Sequence, residues 1–272
     1  MLRLFSSVAL VAFLLGCTTL TVEDERRMSD DFERKVKSEV VLMRDRTVVD
    51  YVDRIAREIL RAAGPQAFDY EFQVIENEAI NAFAGPGGKI FLHTGVITKA
   101  KNVSELAGVL AHEIGHVAER HVAENYARAR PVNLGKQVAV QIAGVLAGRN
   151  AAGAANIAGS LAEMTYLNKF GREAEAEADA FAVDVMIKAG YDPRGLVTFF
   201  KTLEGEGGGS PPEFLSSHPT TGNRIATTSA LIRARSLPAG LRTTDGGRFD
   251  IVKRRVLLLT GKEKPGVPQA VP

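Results

Sequence analysis

A single cysteine, Cys17, excludes any disulfide within the chain. A dominant charge sign is lacking as well: the formal net charge is only +2, with no block of like charge, which argues against nucleic acid as a partner. No uninterrupted apolar run reaches the roughly 18 residues of a membrane-spanning helix. Internal repeats are absent, so no helical-repeat array is expected. What is present is the composition of an ordinary globular protein, 45% apolar and 24% charged over 272 residues, enough for one substantial core with short appendages.

The chain start differs from the rest. Arg3 precedes an uncharged stretch of about twelve residues, Leu4 to Leu15, too short to span a bilayer and suited to the apolar part of a secretory signal. It ends in Leu14-Leu15-Gly16-Cys17, which resembles the bacterial lipobox. That resemblance implies cleavage before Cys17 and lipidation of its thiol, and Thr18 in the next position favours the outer membrane by the sorting rule for such lipoproteins. Attachment gives a lone thiol a purpose in an oxidising compartment, and several acyl chains would hold the protein firmly on a membrane surface.

The most informative segment is His112-Glu113-Ile114-Gly115-His116. Residues i and i+4 of an α-helix share a face about 6 Å apart, so two imidazoles can converge on one cation, while Glu113 sits about 100° around the axis. That geometry suits a zinc ion held by His112 and His116, with Glu113 as the base beside it. Asn102 and Glu105 have the form of an N-cap and its N3 partner, and the run from Val103 to Arg128 contains neither proline nor a glycine pair. Leu106, Val109, Leu110, Ile114 and Val117 form one apolar stripe, which predicts a half-buried helix with its histidines against a cleft.

Around this helix the pattern is mixed. Val22 to Gly64 is charged and helix-prone; Tyr70 to Ile75 and Lys89 to Thr94 read as strands joined through a turn at Gly85 to Gly88. Residues 134–161 are rich in Ala, Gly and Val and read as a packed helical hairpin. Phe170 to Ala189 is another helix, Glu204 to Pro212 a flexible loop, and residues 222–234 a further helix. Arg248 to Leu259 is a final amphipathic helix or strand. The fold class expected is α+β, mainly helical, with a small antiparallel or mixed β-sheet beside the metal helix.

A catalytic zinc site needs a third protein ligand and an open position. Arg172 to Asp179 offers Glu173, Glu175, Glu177 and Asp179, and spacing alone allows any of them. The pattern Arg-x-x-Glu-x-x-Ala-Asp following the histidine motif resembles the HtpX-like and CAAX-prenyl-protease-like zinc metallopeptidases, including the periplasmic BepA type. Asn81 to Ala84 with Pro86-Gly87-Gly88, and His218-Pro219 with Arg224, are similar to further motifs of that family. The resemblance makes Glu175 the third zinc ligand. Asp179, four residues on, can then accept the free N–H of a ligating histidine, His112 by preference. Glu173 and Glu177 read as solvated charge, and His93 and His121 as ordinary histidines.

The function implied is peptide-bond hydrolysis by a membrane-anchored metalloendopeptidase with one Zn2+ per chain, acting on unfolded or misassembled envelope proteins. His112, His116 and Glu175 hold the ion and Glu113 is the general base. His218 and Arg224 are candidates for oxyanion donor or fourth ligand, since in the BepA type the matching histidine can occupy the fourth zinc position. An extended substrate is expected to add as a strand along Gly88, Lys89, Ile90, Phe91, Leu92 and His93. An assembly factor that binds envelope proteins with little proteolysis is the alternative. The expected organisation is a signal peptide at 1–16, a lipidated tether at 17–30, the metallopeptidase domain at 31–236 and a C-terminal segment with a loose tail at 237–272.

Overall fold

Capping chemistry sets the first two helices. In the computed structural model, which describes residues 20–128, 169–206, 212–219 and 223–263, Thr21 and Asp24 form a reciprocal capping box that starts α1 (Val22–Glu39). Asp45 accepts from the Val48 amide to start α2 (Arg46–Ala63), and Gly64, at φ 83°, ends it. Cys17 with the signal segment, residues 134–161, the centre of the glycine-rich loop at 207–211 and the tail beyond Glu263 lie outside the described residues.

Between α1 and α2 the chain crosses the sheet margin, where Met43 N–H donates to the Val74 carbonyl at 2.9 Å and Glu76 N–H to that of Val41 at 2.8 Å. The sheet holds β1 (Glu71–Ile75), β2 (Ala82–Ala84) and β3 (Lys89–His93) in the order β1-β3-β2. β1 runs parallel to β3 and β2 antiparallel, with Phe83 opposite Phe91. One face packs Ile75, Phe83 and Phe91 against Phe32 and Val36 of α1, with the Phe83 and Phe91 rings stacked at 5.1 Å. The other face carries Val74, Ala82, Ile90 and Leu92 into the main core.

This order overturns the expectation that Gly88 to His93 forms a substrate edge. β3 is the central strand, paired on both sides and buried at every residue, with β1 and β2 as the flanking strands. The physical reason is legible afterwards: Ile90-Phe91-Leu92 is apolar on both pleat faces, as a doubly covered strand requires.

After β3 come α3 (Thr94–Lys99) and α4 (Val103–Ala118), the motif helix. Asn102 Oδ1 accepts from the Glu105 amide at 3.0 Å, as the cap pattern predicts. Two features differ from the sequence reading. α4 is buried from Val103 to Val117 and not half exposed, because Ala107, Gly108, Ala111 and Gly115 complete an apolar girdle around the stripe. The helix also stops at Ala118 instead of running on to Arg128: Arg120 adopts φ 63°, and a new helical stretch follows at residues 121–128. Arg120 is held there by Glu25 Oε1 at 2.5 Å and by the Leu20 carbonyl.

Among the described residues, five more helices close the fold: α5 (Arg172–Lys188), α6 (Arg194–Gly205), the short α7 (Glu213–Ser217) and α8 (Arg224–Arg233) gather on the α4 side, and α9 (Arg248–Leu259) packs on α2 and α3. The fold is α+β and mainly helical. Small residues let α4 approach its neighbours. A Cβ on Gly108 would lie 2.9 Å from Leu196 Cα, and one on Gly115 3.2 Å from Ala178 Cα. Residues 22–30, assigned to a tether from sequence, already belong to α1, with Glu25 and Ser29 buried. Phe249, Val252 and Val256 of α9 likewise enter the main core. No described helix is long and apolar enough to cross a membrane.

Candidate metal centre

The approach of α4 to α5 at Gly115 and Ala178 brings one turn of each helix face to face. His112 and His116 thereby meet Glu175, and α7 delivers His218 from its C-terminal end. All four side chains are buried. His112 Nε2 lies 3.0 Å from His116 Nε2 and 3.3 Å from His218 Nδ1. The Glu175 oxygens lie 3.4 Å from His112 Nε2, 3.6 Å from His116 Nε2 and 3.0 Å from His218 Nδ1. Ligand atoms bound tetrahedrally at about 2.0–2.1 Å sit about 3.3 Å from one another, so these separations fit zinc.

Unsatisfied polar atoms point the same way. Both oxygens of Glu113 are buried and make no hydrogen bond, and Glu175 Oε2, though ion-paired with Arg224 Nη1 at 2.6 Å, meets no donor in hydrogen-bond geometry. Groups left this way cost stability unless something else occupies the space between them. Three acids, Glu113, Glu175 and Asp179, stand beside one guanidinium, from Arg224, so the cluster is acid-rich once its imidazoles are neutral, as metal ligation requires.

The surroundings of His112 follow the sequence expectation. Its Nδ1 lies 3.0 Å from Asp179 Oδ1, a contact able to fix the ring and leave Nε2 for an ion. Asp179 is itself held by Thr228 Oγ1 at 3.0 Å and by two donors of Arg224, each at 2.7 Å. Arg224 also reaches Glu175 Oε2 at 2.6 Å and lies over the Phe200 ring at 4.3 Å. Arg224 thus bridges the two α5 acids as a clamp, with Nη2 also 3.1–3.2 Å from the His112 ring nitrogens.

A family pattern described as Peptidase family M48 matches residues 46–232. The chain belongs to Peptidase family M48. It is 32% identical over 229 residues to a putative beta-barrel assembly-enhancing protease of Vibrio cholerae, covering 81% of this chain and 46% of that protein. It is 31% identical over 216 residues to the beta-barrel assembly-enhancing protease of Escherichia coli K12, covering 77% and 44%. The mitochondrial metalloendopeptidase OMA1 of Schizosaccharomyces pombe is 31% identical over 211 residues, covering 76% and 60%. The chain spans less than half the length of the two bacterial relatives.

Within this M48 site, electrostatics favours the ionised forms of Glu175 and Asp179. Burial works against charge on Glu175, yet the nearby His218 and Arg224 hold it well below the usual carboxylate range. Asp179 is likewise lowered against burial by Arg224 and by its bond to His112. Burial and Arg224 oppose charge on His112, but Asp179 and Glu175 hold its pKa up at about 9. Burial pushes the Glu113 carboxyl up, the direction a proton-accepting and proton-returning group needs.

Several contributors escaped the sequence reading. Phe170 stacks on the His116 ring at 3.8 Å and Phe214 on the His218 ring at 4.5 Å, fixing both imidazoles by packing. His121, read as ordinary, meets His116, and Glu177, read as solvated charge, meets His121. His93, also read as ordinary, is buried away from the cluster, and burial pushes its pKa down to about 4.

Proposed function

We propose that this chain is a zinc-dependent endopeptidase of the bacterial cell envelope, anchored through a lipidated Cys17 and acting on unfolded or misassembled envelope proteins. His112, His116 and Glu175 hold the ion, and Glu113 is the general base. The observation that carries this reading is the buried set of metal-ligating donors drawn from separate elements, with an unbonded carboxylate, Glu113, beside them. The envelope setting is supported by the names of the bacterial relatives and by the lipobox-like start of the sequence.

Lewis acidity for polarising the scissile carbonyl and acidifying the attacking water is what zinc supplies when bound. The protein's own groups do the rest. Glu113 accepts the proton from the attacking water and returns it to the leaving amine; its oxygens make no hydrogen bond, His218 Nε2 approaching Oε1 only to 3.4 Å, so they are free for that transfer. Asp179 and Arg224 hold the His112 ring and the Glu175 carboxylate against rotation. His218 fills the fourth corner of the donor set, so the resting site is latent until that ring withdraws.

Casein degradation inhibited by a chelator and restored by zinc is the expected activity. Glu113→Gln should retain zinc and lose proteolysis by roughly a hundredfold or more; undiminished cleavage in that variant would refute the base assignment. His218→Ala should raise basal cleavage, and unchanged or lower activity would count against the latch. Envelope proteins captured by Glu113→Gln in cross-linking, and stabilised in its presence, would identify the substrates.

A further inference from the structure

We infer that His121 and Glu177 are positioning residues for the second histidine of the metal pair, forming a relay from Glu177 through His121 to His116. The inference rests on the reading of His116 as a ligand. His116 Nδ1 lies 3.0 Å from His121 Nδ1, and His121 Nε2 lies 2.8 Å from Glu177 Oε2.

One proton arrangement satisfies the whole line. A ligating Nε2 must present its lone pair, so the His116 proton sits on Nδ1 and is donated to His121. The accepting Nδ1 of His121 is then bare, its proton is on Nε2, and that N–H is donated to the Glu177 carboxylate. No ring nitrogen is left with the wrong role.

The chain reaches this geometry only by breaking α4. In a continuous helix, residue 121 would stand about 140° around the axis from His116. Arg120 at φ 63°, held by Glu25 and the Leu20 carbonyl, reverses the chain and returns His121 to the ligand ring. The acidic run on α5 then divides its work. Glu175 faces the donors, Asp179 fixes His112 directly, and Glu177 fixes His116 through an intervening imidazole. Glu177 is 55% exposed and His121 only 4%, so the relay runs from the protein surface to the ligand.

Groups bonded to metal ligands typically change metal affinity by about 10- to 100-fold when removed. The test is zinc affinity by competition with a chromogenic chelator, on the full chain and three variants, with unfolding of the metal-free forms measured alongside. His121→Ala should weaken zinc binding by about 10- to 100-fold and Glu177→Ala by several-fold. His121→Asn, whose Oδ1 keeps an acceptor near the Nδ1 position, should restore most of the loss. Glu177 is largely solvated, so its variant should leave the metal-free melting temperature unchanged, and it decides the matter if His121→Ala does not fold. Folded variants that bind zinc like the parent would overturn the relay alone, as would a loss in His121→Ala that asparagine does not rescue. A parent chain that binds no zinc would overturn the metal-site reading beneath it.

Discussion

Replacing Gly115 by alanine probes the helix crossing that assembles the site. The added Cβ would lie 3.1 Å from Phe181 Cδ1 and 3.2 Å from both Cα and the carbonyl oxygen of Ala178. The ring can yield, but the Ala178 backbone cannot, so α4 and α5 must part by a few tenths of an ångström. Overpacking of this kind costs about 1–3 kcal/mol, offset by about 1 kcal/mol from the better helix propensity of alanine. The net loss is therefore about 0–2 kcal/mol, a fall in melting temperature of at most about 8 °C for a domain of this size. Metal coordination is less forgiving, since ligand distances tolerate only about 0.2 Å. The two histidines proposed as ligands ride on α4 and Glu175 rides on α5, so zinc affinity should drop about tenfold or more while the metal-free fold survives. Calorimetry of the metal-free variant with a chelator-competition titration measures both quantities. Zinc affinity within about twofold of the parent would refute the claim that this contact sets the ligand geometry.

Two further outcomes are expected away from that contact. Arg224→Leu leaves Asp179 and Glu175 without their buried counter-charge, a change that costs about 3–5 kcal/mol; zinc should restore part of it, seen as a larger thermal shift on metal addition than in the parent, and an unaltered melting temperature would show that the clamp is unimportant. His93 is buried with no well-formed hydrogen bond, the Ala79 backbone being a weak partner, and its folded pKa of about 4 lies below the ordinary 6.5. The folded state therefore resists protonation that the unfolded chain accepts, so stability falls as pH drops from 6.5 towards 4, by about 3 kcal/mol in all. His93→Leu should flatten that part of the pH–stability curve, and parallel curves for the two proteins would contradict the argument.

Local signals in this sequence were reliable where the cause is local. The Asn102 cap, the Gly64 stop, the histidine pair one turn apart and the four-residue step from Glu175 to Asp179 are all properties of single helices. Each is found where spacing places it. The choice of Glu175 over Glu173 and Glu177 was not legible from spacing; it came from a family resemblance, and the structure sets Glu175 among the donors. Strand order was not legible either, because β1, β2 and β3 are brought together by tertiary packing, and an apolar run such as Ile90 to Leu92 is compatible with more than one place in a sheet. The break at Arg120 carries no glycine or proline signal; it depends on Glu25, 95 residues earlier. His121 and Glu177 looked idle for the same reason, since their link to His116 exists only once that break has been made.

The most direct test of the account is zinc-edge X-ray absorption on the purified, metal-replete protein, with metal content measured on the same sample. The account predicts one zinc per chain, bound by imidazole nitrogens and a carboxylate oxygen, with the carboxylate contribution lost in Glu175→Gln and retained in Glu113→Gln. A metal-replete preparation without zinc, or a first shell that Glu175→Gln leaves unchanged, would contradict it.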